Sequence, residues 1–143
     1  MGRRLTNIHS TPLQLGESYR GEAPGHYLDL SGEHLGVRIE EAPPGTTSSV
    51  NHYHTAEEEH VIALQGEATL HLGDEAVPLQ AGDHVCFPAG EAVGHHIENT
   101  SEAPFRFLII GERKQDDVVF YPKNDVVLVK SKNGHATYDY KAR

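Results

Sequence analysis

Positive charge is scarce in this 143-residue chain: Lys and Arg number 12 against 21 Asp and Glu, a formal charge of −9. So acidic a chain lacks the basic surface that phosphate backbones and anionic bilayers attract. Neither nucleic acid nor a membrane is an expected partner, and a small-molecule ligand or substrate is. Cysteine is nearly absent. Cys86 stands alone, so no intrachain disulfide can form, and its setting in HVCFP reads as a small apolar packing group. No window approaches the roughly 18 apolar residues of a spanning helix. The opening stretch MGRRLTNIHS has charges with no apolar run behind them, so the expected location is cytoplasmic. Also missing are a nucleophile elbow, a phosphate loop, a dinucleotide fingerprint and zinc-finger spacing. No internal repeat or low-complexity tract is present, which leaves room for one copy of any site. The length fits one domain able to bury its own core.

What is present is a succession of short apolar runs cut by turn residues. Residues 1–34 hold Gly16, Gly21, Pro24, Gly25, Ser31 and Gly32 without helical periodicity, and are expected to form loops and edge strands. From Leu35 the pattern alternates: Leu35, Val37 and Ile39 against Gly36, Arg38 and Glu40, the period of a half-buried strand. Further strands are predicted over 61–64, 68–72, 76–79, 84–87, 95–99 and 105–110, with 118–121 and 126–130 closing the series. Many short strands with Gly, Pro and Asp punctuation argue for an all-β sandwich or barrel. A helical turn is conceivable only near 112–117. The organisation is read as an irregular segment 1–34, a barrel core 35–112, and C-terminal strands with a polar, loosely docked tail over 113–143, all in the same domain.

Two histidine-bearing segments, GTTSSVNHYHTAEEEHVIALQG from Gly45 and GDHVCFPAGEAVGHHIEN from Gly82, carry the chemistry. His52 and His54 stand at i and i+2, which points both imidazoles to one face of a strand. Glu59 follows after TAEE and shares a face with Val61 and Ala63, leaving Glu57 and Glu58 to solvent. His95 and His96 cannot both point inward, because side-chain direction alternates along a strand. His60 falls on the parity opposite Glu59, and His71 and His84 are open to either face. Tyr53 points away from its histidine neighbours, into packing. His9, His26, His34 and His135 are read as solvated loop residues. Several imidazoles and a carboxylate suit a divalent transition metal such as Zn, Fe, Mn or Ni, and leave coordination positions open for chemistry.

These segments resemble the paired motifs of the cupin superfamily, G-x5-HxH-x3-4-E-x6-G and G-x5-PxG-x2-H-x3-N. Glu59 to Gly66 has the six-residue gap, Gly82 to Pro88 the five-residue gap, Pro88-Ala89-Gly90 is PxG, and His95 to Asn99 is H-x3-N. Two spacings depart from the pattern: Gly45 to His52 holds six residues rather than five, and Gly90 to His95 four rather than two. PPGTTSSVNHYH, FPAGEAVGHH and ENTSEAPFRFLIIGER are similar to small single-domain bacterial cupins of undefined activity. The resemblance implies an antiparallel double-sheet jelly-roll barrel of six to eight strands, with one metal on His52, His54, Glu59 and His95. It also implies a homodimer paired through an edge or terminal strand. Apolar pocket walls are expected from Val37, Ile39, Val61, Ala63, Phe87, Phe107 and Ile109. The expected function is a metal-dependent enzyme of dioxygenase, isomerase, decarboxylase or lyase type acting on a small polar or carboxylated metabolite. The alternative is a barrel that binds or senses a sugar or metabolite without turnover.

Overall fold

The computed structural model describes residues 5–16 and 24–140, and within them the secondary structure is strand throughout, with no helix. The turn former Gly21 and the last three residues of the tail lie outside the described residues. The strands are β1 (Gln14–Leu15), β2 (His26–Asp29), β3 (Leu35–Ala42), β4 (Tyr53–His54), β5 (Glu59–Gln65), β6 (Glu67–Leu72) and β7 (Glu75–Gln80), followed by β8 (His84–Phe87), β9 (His95–Glu98), β10 (Phe105–Glu112), β11 (Val118–Tyr121), β12 (Val126–Ser131) and β13 (Gly134–Asp139).

One layer is the six-stranded sheet β1-β2-β3-β10-β5-β8. The other joins β7-β6-β9 to β4-β11-β12-β13 through an antiparallel bridge between His95 and His52, whose N–H groups each donate to the other's carbonyl at 2.9 and 3.1 Å. Every pairing among the described residues is antiparallel, the double-sheet architecture that the resemblance to cupins implied. The core between the layers holds Val61, Ala63, Ala68, Leu70, Leu79, Phe87, Ile97, Phe105 and Phe107. Phe105 and Phe107, 0% and 1% exposed, stack at 5.4 Å and each contributes about 1.5–3 kcal/mol of burial.

Register decides which face of β3 looks inward. Phe107 of β10 lies opposite both Ala63 of β5 and Glu40 of β3, and directly paired residues share a face. Glu40 therefore faces the interior, while Val37 and Ile39 occupy the outer face, where Ile39 pairs with Leu28 and Leu108. The alternation expected for this strand is present, with the opposite sense: these two residues are not pocket wall. Two other expectations also change. Residues 112–117 form an extended link and turn instead of helix, because Glu112 N–H donates to Glu58 O and Arg113 N–H to His34 O. The polar tail pairs along β12 as β13, its residues all exposed, since a ladder at a sheet edge needs backbone hydrogen bonds and no apolar face.

Asn99 is fully buried and its amide joins three segments. Nδ2 donates to Ala42 O and Ala103 O at 2.8 Å each, and Oδ1 accepts from Ser101 N–H and Oγ–H. Asn99→Ala removes the donor that serves the buried Ala42 carbonyl and the acceptor that holds the Ser101 turn, and is expected to cost about 2–3 kcal/mol, read as a lower denaturant midpoint with metal content unchanged. A midpoint shift under about 0.5 kcal/mol would contradict that role. Gly66, at φ +89°, makes the tight turn from β5 into β6, and a Cβ there would sit 2.7 Å from Pro104 O. That is a physical requirement for glycine at this motif position.

Candidate metal centre

His52, His54, Glu59 and His95 all line one cavity of about 470 Å³. His54 belongs to β4, held beside β11 by the pairing of His54 with Val119. His52 precedes it and is bridged to His95 at the start of β9. Glu59 opens β5 opposite Gly111, and a Cβ at Gly111 would lie 3.5 Å from Glu59 Cγ. Glu59 Oε1 lies 3.4, 3.3 and 3.2 Å from Nε2 of His52, His54 and His95. Atoms bound to one ion at about 2.0–2.2 Å with near-tetrahedral to octahedral angles stand about 3.0–3.4 Å apart, so these separations fit a shared cation.

The far sides of the rings support the same conclusion. His52 Nδ1 lies 2.7 Å from Val50 O, an acceptor only, so the ring donates there and Nε2 carries a lone pair. His54 Nδ1 donates likewise to Asp117 Oδ2 at 2.6 Å. Lone pairs and a carboxylate oxygen aimed at one point repel unless a proton or a cation lies between them. His95 stacks face to face on Phe87, with centroids 3.5 Å apart, which fixes its ring plane. His96, one residue on, stacks instead on His71 at 4.4 Å and accepts from Asn51 Nδ2 at 3.0 Å. The residue that alternation turns inward is His95.

Electrostatics follow from this geometry. Burial would raise the Glu59 carboxyl, but where protons rather than an ion fill the gap, His52, His54 and His95 donate to it and hold it well below the usual carboxylate range. For His54, burial acts downward and is outweighed by Glu59 and Asp117, leaving a net rise. Burial, reinforced by the charges of His52 and His54, leaves His95 lowered against the opposing pull of Glu59.

Some site-supporting residues were not anticipated. Asp117, fully buried in the link between β10 and β11, accepts from His54 and from Ala56 and Glu57 N–H. Glu57, expected in solvent, is 4% exposed: it accepts from Lys130 Nζ at 2.7 Å and Lys114 N–H at 2.8 Å. Strand parity could not reveal this, because Glu57 precedes β5 and its donors, the Lys130 ammonium and the Lys114 backbone N–H, arrive from β12 and the β10–β11 link. Glu58 is exposed as expected, and Tyr53 packs on Phe120 at 5.1 Å. His26 and His135, expected in loops, lie on β2 and β13, and both are exposed.

The cavity wall includes Val61, Phe87, Phe107 and Ile109, with polar groups from Glu40, Thr47, Ser48 and Ser49. Burial is the main cause of a raised Glu40 pKa; Arg38 opposes it and the Glu59 charge adds to it.

Residues 38–111, just over half of the chain, match the family described as "Cupin domain". The chain is a cupin. It resembles, with 26% identity and a TM-score of 0.82 over 95% of each chain, a sugar phosphate isomerase of the cupin superfamily from Silicibacter pomeroyi DSS-3. A putative sugar phosphate isomerase from Acidithiobacillus ferrooxidans ATCC 23270 is 28% identical, with a TM-score of 0.83 over 95% of this cupin and 92% of that chain. The uncharacterized protein YjlB of Bacillus subtilis (strain 168) is 39% identical over 70 residues, 47% of this cupin and 39% of that protein. The cupin thus spans about two fifths of that relative's length. Among its described residues no helix is long and apolar enough to cross a membrane.

Proposed function

We propose that this cupin is a metal-dependent enzyme acting on a small polar or carboxylated metabolite, with sugar phosphates the foremost class and isomerisation the foremost reaction. The observation that carries the reading is the convergence of three imidazole Nε2 atoms on Glu59 Oε1 in the lining of a cavity sized for a small metabolite. Likeness over nearly the whole chain to a sugar phosphate isomerase and a putative sugar phosphate isomerase supports the substrate class. His52, His54, Glu59 and His95 would hold one divalent transition ion. Such an ion supplies Lewis acidity toward substrate oxygens.

The chain's own residues supply the remainder. Thr47, Ser48 and Ser49 bring hydroxyls to the wall, and Lys130 contributes the one ammonium among the described lining residues. Phe87, Phe107, Val61 and Ile109 exclude water. Aldose–ketose interconversion moves one proton between adjacent carbons and one between their oxygens with no net redox change, and a single carboxylate that accepts and returns the carbon-bound proton performs the first of these transfers. Glu40 is suited to that role, since its raised pKa brings it closer to neutrality.

Metal analysis followed by a screen of aldose and ketose phosphates and small carboxylic acids tests the reading. Turnover persisting in both His52→Ala and Glu59→Ala would reject the site. Glu40→Gln is expected to lower kcat about 10²–10⁴-fold while metal content stays at the wild-type value; an unchanged kcat would remove Glu40 from the chemistry.

A further inference from the structure

Alternation along β5 sends Glu59 to the interior and its neighbours Glu58 and His60 to the outer surface. Across the ladder His60 pairs with Cys86 of β8, and Ile62 with His84, so His84 and Cys86 share that outer face. The side chains are in contact. His60 Nε2 is 2.6 Å from Glu58 Oε1 and 3.7 Å from Cys86 Sγ, while His60 Nδ1 is 2.9 Å from His84 Nε2, the two rings stacking at 5.2 Å. Strand β8 is the edge of its sheet, and Glu58 and His84 are exposed, so the cluster is open to solvent.

We infer that Glu58, His60 and Cys86 form a second divalent-metal site, for zinc or a similar borderline ion, on the outside of the barrel wall. One nitrogen, one sulfur and one carboxylate oxygen make a donor set that zinc and cobalt(II) accept and that calcium and magnesium do not. Without the ion His60 Nε2–H donates to Glu58; with it that proton would be displaced, and His84 acts as the positioning residue by accepting from His60 Nδ1–H, which leaves the Nε2 lone pair directed at the Glu58 and Cys86 side. The ligand atoms of Glu58, His60 and Cys86 lie within 4.8 Å of one another. Because Glu58 is exposed, its carboxylate can withdraw the roughly half ångström that separates a direct hydrogen bond from two ligands on one ion. Binding forms a metal–sulfur bond and releases the Cys86 thiol proton to solvent, so affinity rises with pH. The inner and outer sites would then sit back to back across one strand, with different donors.

That difference makes the test selective, since the inner residues supply only nitrogen and oxygen. Metal-free, fully reduced full-length protein is titrated with Co²⁺ and followed by absorption. The expected result is two equivalents bound, one of them accompanied by a near-ultraviolet thiolate-to-cobalt charge-transfer band. Cys86→Ala is expected to abolish the band and one equivalent while the other remains, and Glu58→Gln, on an exposed side chain, to weaken the banded equivalent at least about tenfold. A wild-type titration with no charge-transfer band overturns the inference, as does a band whose affinity is the same in Glu58→Gln and His60→Ala. Failure of the inner site would appear separately, as loss of the bandless equivalent.

Discussion

Glu59→Gln is expected to bind its inner metal two to three orders of magnitude more weakly than the parent protein. Four-ligand structural zinc sites bind with about 10–16 kcal/mol; one donor in four is worth about 2.5–4 kcal/mol on that scale, and each 1.4 kcal/mol is about tenfold in Kd. The loss falls on this residue because its Oε1 is the atom that all three imidazoles share, at 3.2 to 3.4 Å. Glutamine keeps the shape opposite Gly111 and removes the charge. Competition against a chelator of known affinity measures the effect, and a Kd within threefold of wild type would show that the carboxylate is not a ligand. His52→Ala should fall in the same range, with a water able to enter the space left by the ring.

Asp117→Asn is expected to weaken the metal about 10–100-fold through His54 and to destabilise the metal-free protein by about 3 kcal/mol. Burial alone would raise the Asp117 pKa. The bonds from His54 and from Ala56 and Glu57 N–H reverse that and hold it below the ordinary aspartate value. A folded pKa below the unfolded one means that the unfolded chain takes up the proton first. The stabilisation is therefore complete above the unfolded pKa of about 3.9 and drains away as pH falls toward the folded value. Wild type should show a steep acid limb in its stability profile, and Asp117→Asn a flatter one. Parallel acid limbs in the two proteins would contradict this assignment, and unchanged metal affinity would show that His54 is oriented by other contacts.

How far the site was legible depends on which groups are ordered by local periodicity. His52 and His54 at i and i+2, and Glu59 in phase with Val61, come from side-chain alternation along one segment. The selection of His95 over His96 has the same origin, and the structure stacks each ring in a different environment accordingly. Val37 and Ile39 were expected in the pocket wall, where Glu40 stands instead, for a reason that is equally physical. Alternation marks two faces and does not say which is inside, and here the apolar face carrying Val37 and Ile39 turns outward. Asp117 carried no usable signal: it is one of two adjacent aspartates in a polar link, and only the return of that link beneath β4 makes it the partner of His54. Glu57 and Cys86 were assigned from immediate neighbours, yet their contacts come from Lys130 and His60 on other strands.

An all-β chain and the shared strand faces of His52 with His54 and of Glu59 with Val61 were legible in the sequence, because strand period, turn chemistry and motif spacing are properties of short windows; antiparallel pairing entered through the resemblance to cupins. Tertiary structure alone decided how the rings are held, which acid lines the cavity and which thiol meets an imidazole. Those outcomes depend on register between strands as far apart in sequence as Leu35 and Glu112, where a shift of one position exchanges the inner face for the outer.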